Sequence, residues 1–218
     1  MPPKVRITPQ MITQAAFEIV RSEGAEALNA RRIAQKLNCS TQPVLYSFKT
    51  VDEIRLEVYH IADEFHTNYI MPDMEPPDMT AQTDSGTETG GGADGAQQSG
   101  QGFPAVEEMS SPLLELGLNY IRFGHEEKNL FRFLFQTNML GSNVQLLFDS
   151  PALSELIRIV AMSTGQDEAA ARKSFMTFFS CVHGYASLLA NNAMNYDEKL
   201  LESSLDIVFN CCTGEIGG

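Results

Sequence analysis

Apolar residues recur along this chain at intervals of three and four, the spacing that lines up side chains on one side of an α-helix, and no stretch alternates with the period of two that marks a strand. Ile12, Ala15, Ala16, Ile19 and Val20 form the first such stripe. Ahead of it Thr8-Pro9 places a capping hydroxyl before a proline at the first helical position, and Gly24 supplies a stop at the far end. Asn29 suits the cap of a second, short helix with Ile33, Ala34 and Leu37 inside, and Asn38 suits a left-handed stop. A third short helix fits residues 41–48, capped by Ser40. Thr50-Val51-Asp52-Glu53 reads as a capping box opening a long helix to about Ile70, with Val51, Ile54, Val58, Ile61 and Phe65 along its inner side.

The pattern stops at Pro72. Residues 72–112 hold seven glycines, five prolines, eight carboxylates and neither Lys nor Arg, too little apolar surface to offset the entropy of ordering, so they are expected to be a flexible acidic linker or insertion. Helical signals resume at Ser111-Pro112, which predicts a helix to about His125. "EEKNLFRFLFQ" predicts another, and Ser150-Pro151 opens a third to about Ser163. Residues 167–194 carry Phe175, Phe178, Phe179, Val182, Ala186 and Leu189 on one stripe and Met176, Tyr185 and Leu188 on a second, which calls for two packing partners. Residues 196–212 predict a last helix through Leu200, Leu201, Leu205, Val208 and Phe209. The expected fold is all-α: a three-helix head with a helix-turn-helix over 1–50, a connecting helix over 51–71, the linker over 72–112, and a helical domain over 113–218. Surplus apolar surface on its last two helices predicts a homodimer closed by a four-helix bundle.

Charge sharpens this division. The formal net charge of the 218 residues is −13, yet residues 1–50 contain seven basic side chains (Lys4, Arg6, Arg21, Arg31, Arg32, Lys36, Lys49) against three acidic ones (Glu18, Glu23, Glu26), or +4, which leaves −17 for the rest. A basic head on an acidic body confines contact with a polyanion to one end of the molecule. No run of eighteen apolar residues is present to span a bilayer, and the N-terminus lacks the apolar core of a secretory signal, so no membrane association and a cytoplasmic location are expected. Cys39, Cys181, Cys211 and Cys212 lack CxxC spacing and are expected to be reduced and structural.

The candidate helix-turn-helix points to double-stranded DNA. Arg31, Arg32 and Lys36 fall on the outer side of the second helix, either as a solvated basic face or as a grip on phosphates. Thr41, Gln42, Pro43 and Tyr46 fall at the start and outer face of the third. A glutamine amide can pair bidentately with adenine, a threonine can offer hydroxyl or methyl, and a tyrosine can bond phosphate or stack. Asn29 and Thr50, the latter following Lys49, put helix N-termini within reach of further phosphates.

The stretch "ITQAAFEIVRSEGAEALNARRIAQKLNCSTQPVLYSFKTVDEI" resembles the N-terminal DNA-binding domain of the tetracycline-repressor (TetR) family of bacterial transcriptional regulators. Asn29 stands at the family's usual Thr or Ser cap, Ile33-Ala34 at its Ile-Ala pair, Ser40-Thr41-Gln42-Pro43 at the start of its recognition helix and Phe48 at the Phe that closes it. Leu45 stands where the family usually has Tyr, Ser47 where it has His or an aromatic, and Val51 where Lys is frequent, so Tyr46 and Lys49 are expected to take over phosphate contacts. "FFSCVHGYASLLANNAM" resembles a segment of the long penultimate helix in some members. The resemblance implies a homodimer on a palindromic operator, released as a repressor by a small molecule in the C-terminal domain. The alternative is a helical ligand-binding or protein-interaction module that no longer binds DNA specifically.

For the effector, Tyr120, Phe123, Phe131, Phe135, Met139, Phe178, Phe179 and Tyr185 offer surface for a partly apolar molecule or simply a core, with His183 and His125 as candidates to bond a polar group. No cofactor is expected. His60 and His66 are six apart, which does not put two ligands on one helical face, so no metal is expected either. Neither a nucleophile elbow, a P-loop, a dinucleotide-binding glycine pattern nor H-E-x-x-H is present, and the chain is read as a non-enzyme with no catalytic residues.

Overall fold

A computed structural model describes residues 6–72, 106–137 and 151–213. Within them the chain forms nine α-helices and one 3-10 turn, with no strand: α1 Pro9–Glu23, then the 3-10 turn Ala25–Ala27, α2 Ala30–Lys36, α3 Gln42–Ser47, α4 Val51–Ile70, α5 Val106–Glu126, α6 Lys128–Phe135, α7 Pro151–Thr164, α8 Glu168–Ala190 and α9 Glu198–Thr213.

Most helix ends follow the expected chemistry. Thr8 Oγ1 accepts from Met11 N at 3.3 Å, Asn29 Oδ1 from Arg32 N at 2.9 Å and Asp167 Oδ1 from Ala170 N at 2.7 Å, each satisfying a first-turn N–H that has no helical partner. Gly24 ends α1 at φ +92° and Asn38 turns the chain after α2 at φ +50°, both in the left-handed region. The third helix corrects its expected cap: Thr41, not Ser40, is the N-cap, and no side chain bonds the helix end there. At α4 the Thr50 hydroxyl accepts from Glu53 N at 3.2 Å, but the returning Glu53 carboxylate takes the N–H of Lys49 at 2.8 Å, one residue earlier than a capping box prescribes. The helix expected from Ser111 starts instead at Val106, so the last residues of the expected linker are helical; the rest of it falls almost wholly outside the described residues.

One core runs from the head into the body. Ile12, Ile19, Ile33 and Val44 close the head, and α4 carries Ile54, Val58 and Ala62 along its inner side into contact with α1. Helix α6 wedges beneath α1: Phe133 packs on Tyr59 of α4 at 6.3 Å between ring centroids, and the Asn129 amide donates to the Arg21 carbonyl at 3.0 Å. The tightest seam joins α5 to α8. A Cβ added at Gly124 would lie 2.9 Å from both the Cβ and the carbonyl oxygen of Ala186, and one at Gly117 would lie 3.1–3.3 Å from Phe178, Val182 and Leu205. Two glycines on one side of α5 thus bring its backbone against α8. A smaller cluster of Ile157, Val160, Ala171 and Phe175 fixes α7 to the other end of α8.

Candidate functional site

The head presents α3 outward because a single buried side chain, Val44, anchors it, while Gln42, Leu45 and Tyr46 face away from the core. Tyr46 is 92% exposed and Leu45 57%, a degree of apolar exposure that most of the chain avoids. Ile7, Ser40, Gln42, Pro43, Tyr46 and Ser47 line a shallow depression of ≈300 Å³ beside this face. Thr41, Gln42, Pro43 and Tyr46 are therefore brought together on one accessible ridge.

The neighbouring cations are not equivalent. Arg32 is held by its own chain, donating to Glu23 at 2.7 Å and to Gln35 Oε1 at 2.9 Å, and Lys36 pairs with Glu18 at 2.9 Å. Hydrogen bonding to Arg32 holds the Glu23 carboxyl below its ordinary range, and hydrogen bonding to Lys36 does the same for Glu18. Arg31 is exposed and, among the described residues, has no ion-pair partner; the side chain of Lys49 is in the same position. Asn29 is consumed as a cap, its oxygen taken by Arg32 N and its amide nitrogen donating to Ala27 O at 3.1 Å. Thr50 likewise uses its hydroxyl oxygen on α4.

The second candidate region lies where α4, α5, α6 and α8 meet. The His66 ring packs 4.8 Å from Phe123, 5.2 Å from Phe135 and 5.3 Å from Tyr120, all edge-on. The Tyr120 hydroxyl bonds His183 Nδ1 at 2.9 Å, and Phe131 and Phe179 close the shell 5.5 and 5.9 Å from the His183 ring. Burial pushes His66 down to about 4, depresses His183 in the same direction and raises Tyr120, so at neutral pH the shell is uncharged. Every polar atom in such a place needs a partner, yet Nε2 of His66 is buried with none among the described residues.

Of the effector residues expected from sequence, Tyr120, Phe123, Phe131, Phe135, Phe179 and His183 converge here. Phe178 does not: it turns to Phe209, 6.0 Å away, on the α9 side. Tyr185 is half-buried and makes no ring contact with the shell. His125 stacks on Tyr196 at 4.7 Å instead of facing the shell, and Met139 lies outside the described residues. His66 was missed because six-residue spacing from His60 was tested only for metal. Its place on the Ile54, Val58, Ala62 stripe of α4, at i, i+4, i+8 and i+12, was the available signal.

A charged contact adds to the apolar core in joining α1 to the start of α6. Arg21 of α1 donates through Nε to Glu127 Oε2 at 2.9 Å and pairs through its second nitrogen with Oε1, while its guanidinium carbon sits 4.7 Å over the Phe65 ring. The bidentate bond to Glu127 raises the Arg21 pKa.

Among the described residues no helix is long and apolar enough to cross a membrane. No curated protein matches the chain. Residues 113–209, which carry Tyr120, His183 and the α5–α8 seam, match the family model described as tetracyclin repressor-like, C-terminal domain. That part of the chain is therefore similar to the regulatory domain of the tetracycline-repressor family of transcriptional regulators, and it stands behind an N-terminal head of short helices.

Proposed function

We propose that the protein is a homodimeric repressor that binds double-stranded operator DNA through residues 1–50 and is released by a partly apolar small molecule held in residues 113–218. The observation that carries the reading is the outward face of α3, where Thr41, Gln42 and Tyr46 stand exposed with Pro43 half-buried among them, together with Arg31 and Lys49, which have no ion-pair partner among the described residues. Base-edge contacts are assigned to Thr41 and Gln42 and phosphate contacts to Arg31, Lys49 and Tyr46. The effector is assigned to the aromatic shell, with the orphaned Nε2 of His66 as the group that bonds it. Leu188 on α8 and Leu200 and Ile207 on α9, 46%, 49% and 63% exposed, support the pairing of those two helices across a dimer.

The test is a gel shift against the DNA flanking the protein's own coding region at two salt concentrations. Sequence-specific binding that weakens steeply with salt is the expected result. Absence of binding to any fragment at low salt refutes the reading and leaves the module without DNA affinity, an outcome that the self-neutralisation of Arg32 and Lys36 would then explain.

A further inference from the structure

We propose that Leu45 is a specificity-determining residue that reads thymine by packing on its 5-methyl group. The inference rests on the DNA-binding reading above and goes further than it by assigning a base and a chemical contact to a side chain no part of that reading uses.

Leu45 is held in place by backbone, its N–H donating to Thr41 O at 3.0 Å one helical turn earlier, and its side chain is 57% exposed next to the 92% exposed Tyr46. The hydroxyl of Thr41 and the amide of Gln42 stand on the same side of α3, one turn back. A branched aliphatic group there has no hydrogen bond to offer, so its only selective partner in a major groove is a carbon surface. Thymine alone among the four bases presents one, its methyl, beside an acceptor oxygen. The charge around α3 fits the occupant: Arg31 and Lys49, which precede and follow α3 in the chain, have no ion-pair partner among the described residues, while Glu23, Glu18 and Glu53 are turned to Arg32, Lys36 and the N–H of Lys49. Arg31 and Lys49 would position the duplex, Gln42 would read a polar edge, and Leu45 would supply the apolar discrimination between thymine and cytosine.

The experiment deletes the methyl from the DNA and the carbon from the protein. Duplexes that bind best are selected from a random library with the full-length protein, and each thymine is then replaced in turn by deoxyuridine, which keeps every hydrogen-bonding atom. The expected result is about fourfold weaker binding at one thymine per half-site for the intact protein, the loss typical of one buried methyl group. Leu45→Ala, a change at an exposed position, is expected to bind thymine and uracil duplexes equally there and to keep its response at other positions, while Leu45→Met keeps methyl sensitivity. Specific binding with the same uracil profile in the intact protein and in Leu45→Ala overturns the Leu45 proposal alone and leaves the exposed pair Leu45 and Tyr46 to a protein partner. Selection that yields no preferred sequence overturns both this proposal and the base-reading role of the head.

Discussion

Replacing His66 by Phe should uncouple the stability of the protein from acid between pH 6.5 and about 4. The imidazole is 7% exposed, ringed by Phe123, Phe135 and Tyr120, and burial lowers its pKa from 6.5 to about 4. The unfolded chain therefore takes up a proton near pH 6.5 that the folded chain refuses until about pH 4, so stability is full above 6.5, falls through that window, and the loss is complete below it. At about 1.4 kcal/mol per pKa unit the ceiling is about 3 kcal/mol, and about 2 kcal/mol of it is gone by pH 5. A phenyl ring fits the same edge-on shell and carries no proton. It also removes a buried nitrogen that has no partner among the described residues, whose desolvation costs roughly 1–3 kcal/mol, so His66→Phe should be no less stable than the parent at pH 7.5. His183, depressed in the same direction, is present in both proteins and cancels in the difference. Urea denaturation at pH 7.5 and 5.0 measures this: the parent should lose about 2 kcal/mol more than His66→Phe between the two conditions. Equal losses would refute the burial argument, because the proton would then be entering the folded state as readily as the unfolded one.

Three further outcomes follow from the geometry. Gly124→Ala forces a methyl to within 2.9 Å of the Ala186 carbonyl; an overpacking cost of about 1–3 kcal/mol exceeds the gain of about 1 kcal/mol in helix propensity, so the urea midpoint should drop, whereas Gly184→Ala, with nothing within 4 Å in its own subunit, should hold or raise it. Glu23→Gln frees Arg32, and DNA binding should strengthen on all sequences with a salt slope steeper by about 0.9 per added phosphate contact; an unchanged slope would mean that Arg32 does not face DNA. Gln42→Ala should relax specificity at one base pair by about 1–3 kcal/mol, whereas Arg31→Ala should weaken specific and random duplexes alike, and equal losses on both for Gln42→Ala would remove its base-reading role.

The helices were legible because their signals are local. Thr8, Asn29 and Asp167 cap from within four residues, and stripes such as Ile12, Ala15, Ile19 depend only on the period of the helix. The start of α5 was misplaced for the same reason: Ser111-Pro112 is a strong opening signal, but helix continues through it from Val106, where the acidic, glycine-poor "VEEMSS" satisfies a helix. What sequence could not carry was pairing across the chain. Arg31, Arg32 and Lys36 look alike in order, yet Glu23 and Glu18 of α1 take two of them and leave the third. Phe178 and Phe179 are adjacent and both aromatic, but 100° of helical rotation sends one to Phe209 and the other to Tyr120.

The α5–α8 seam bears on where the sequence of this fold can vary. Where Gly124 meets the Ala186 backbone there is no side chain to enlarge, shrink or recolour, so that wall of the molecule is closed to adaptive change. Variation is easier where side chain meets side chain, as at His66 on α4, Phe135 on α6 and Phe179 on α8, whose rings pack on other rings and not on backbone. Under the proposed assignment of a small-molecule effector to the aromatic shell, a laboratory search for altered inducer preference should therefore concentrate its diversity on those three positions and leave both seam glycines untouched.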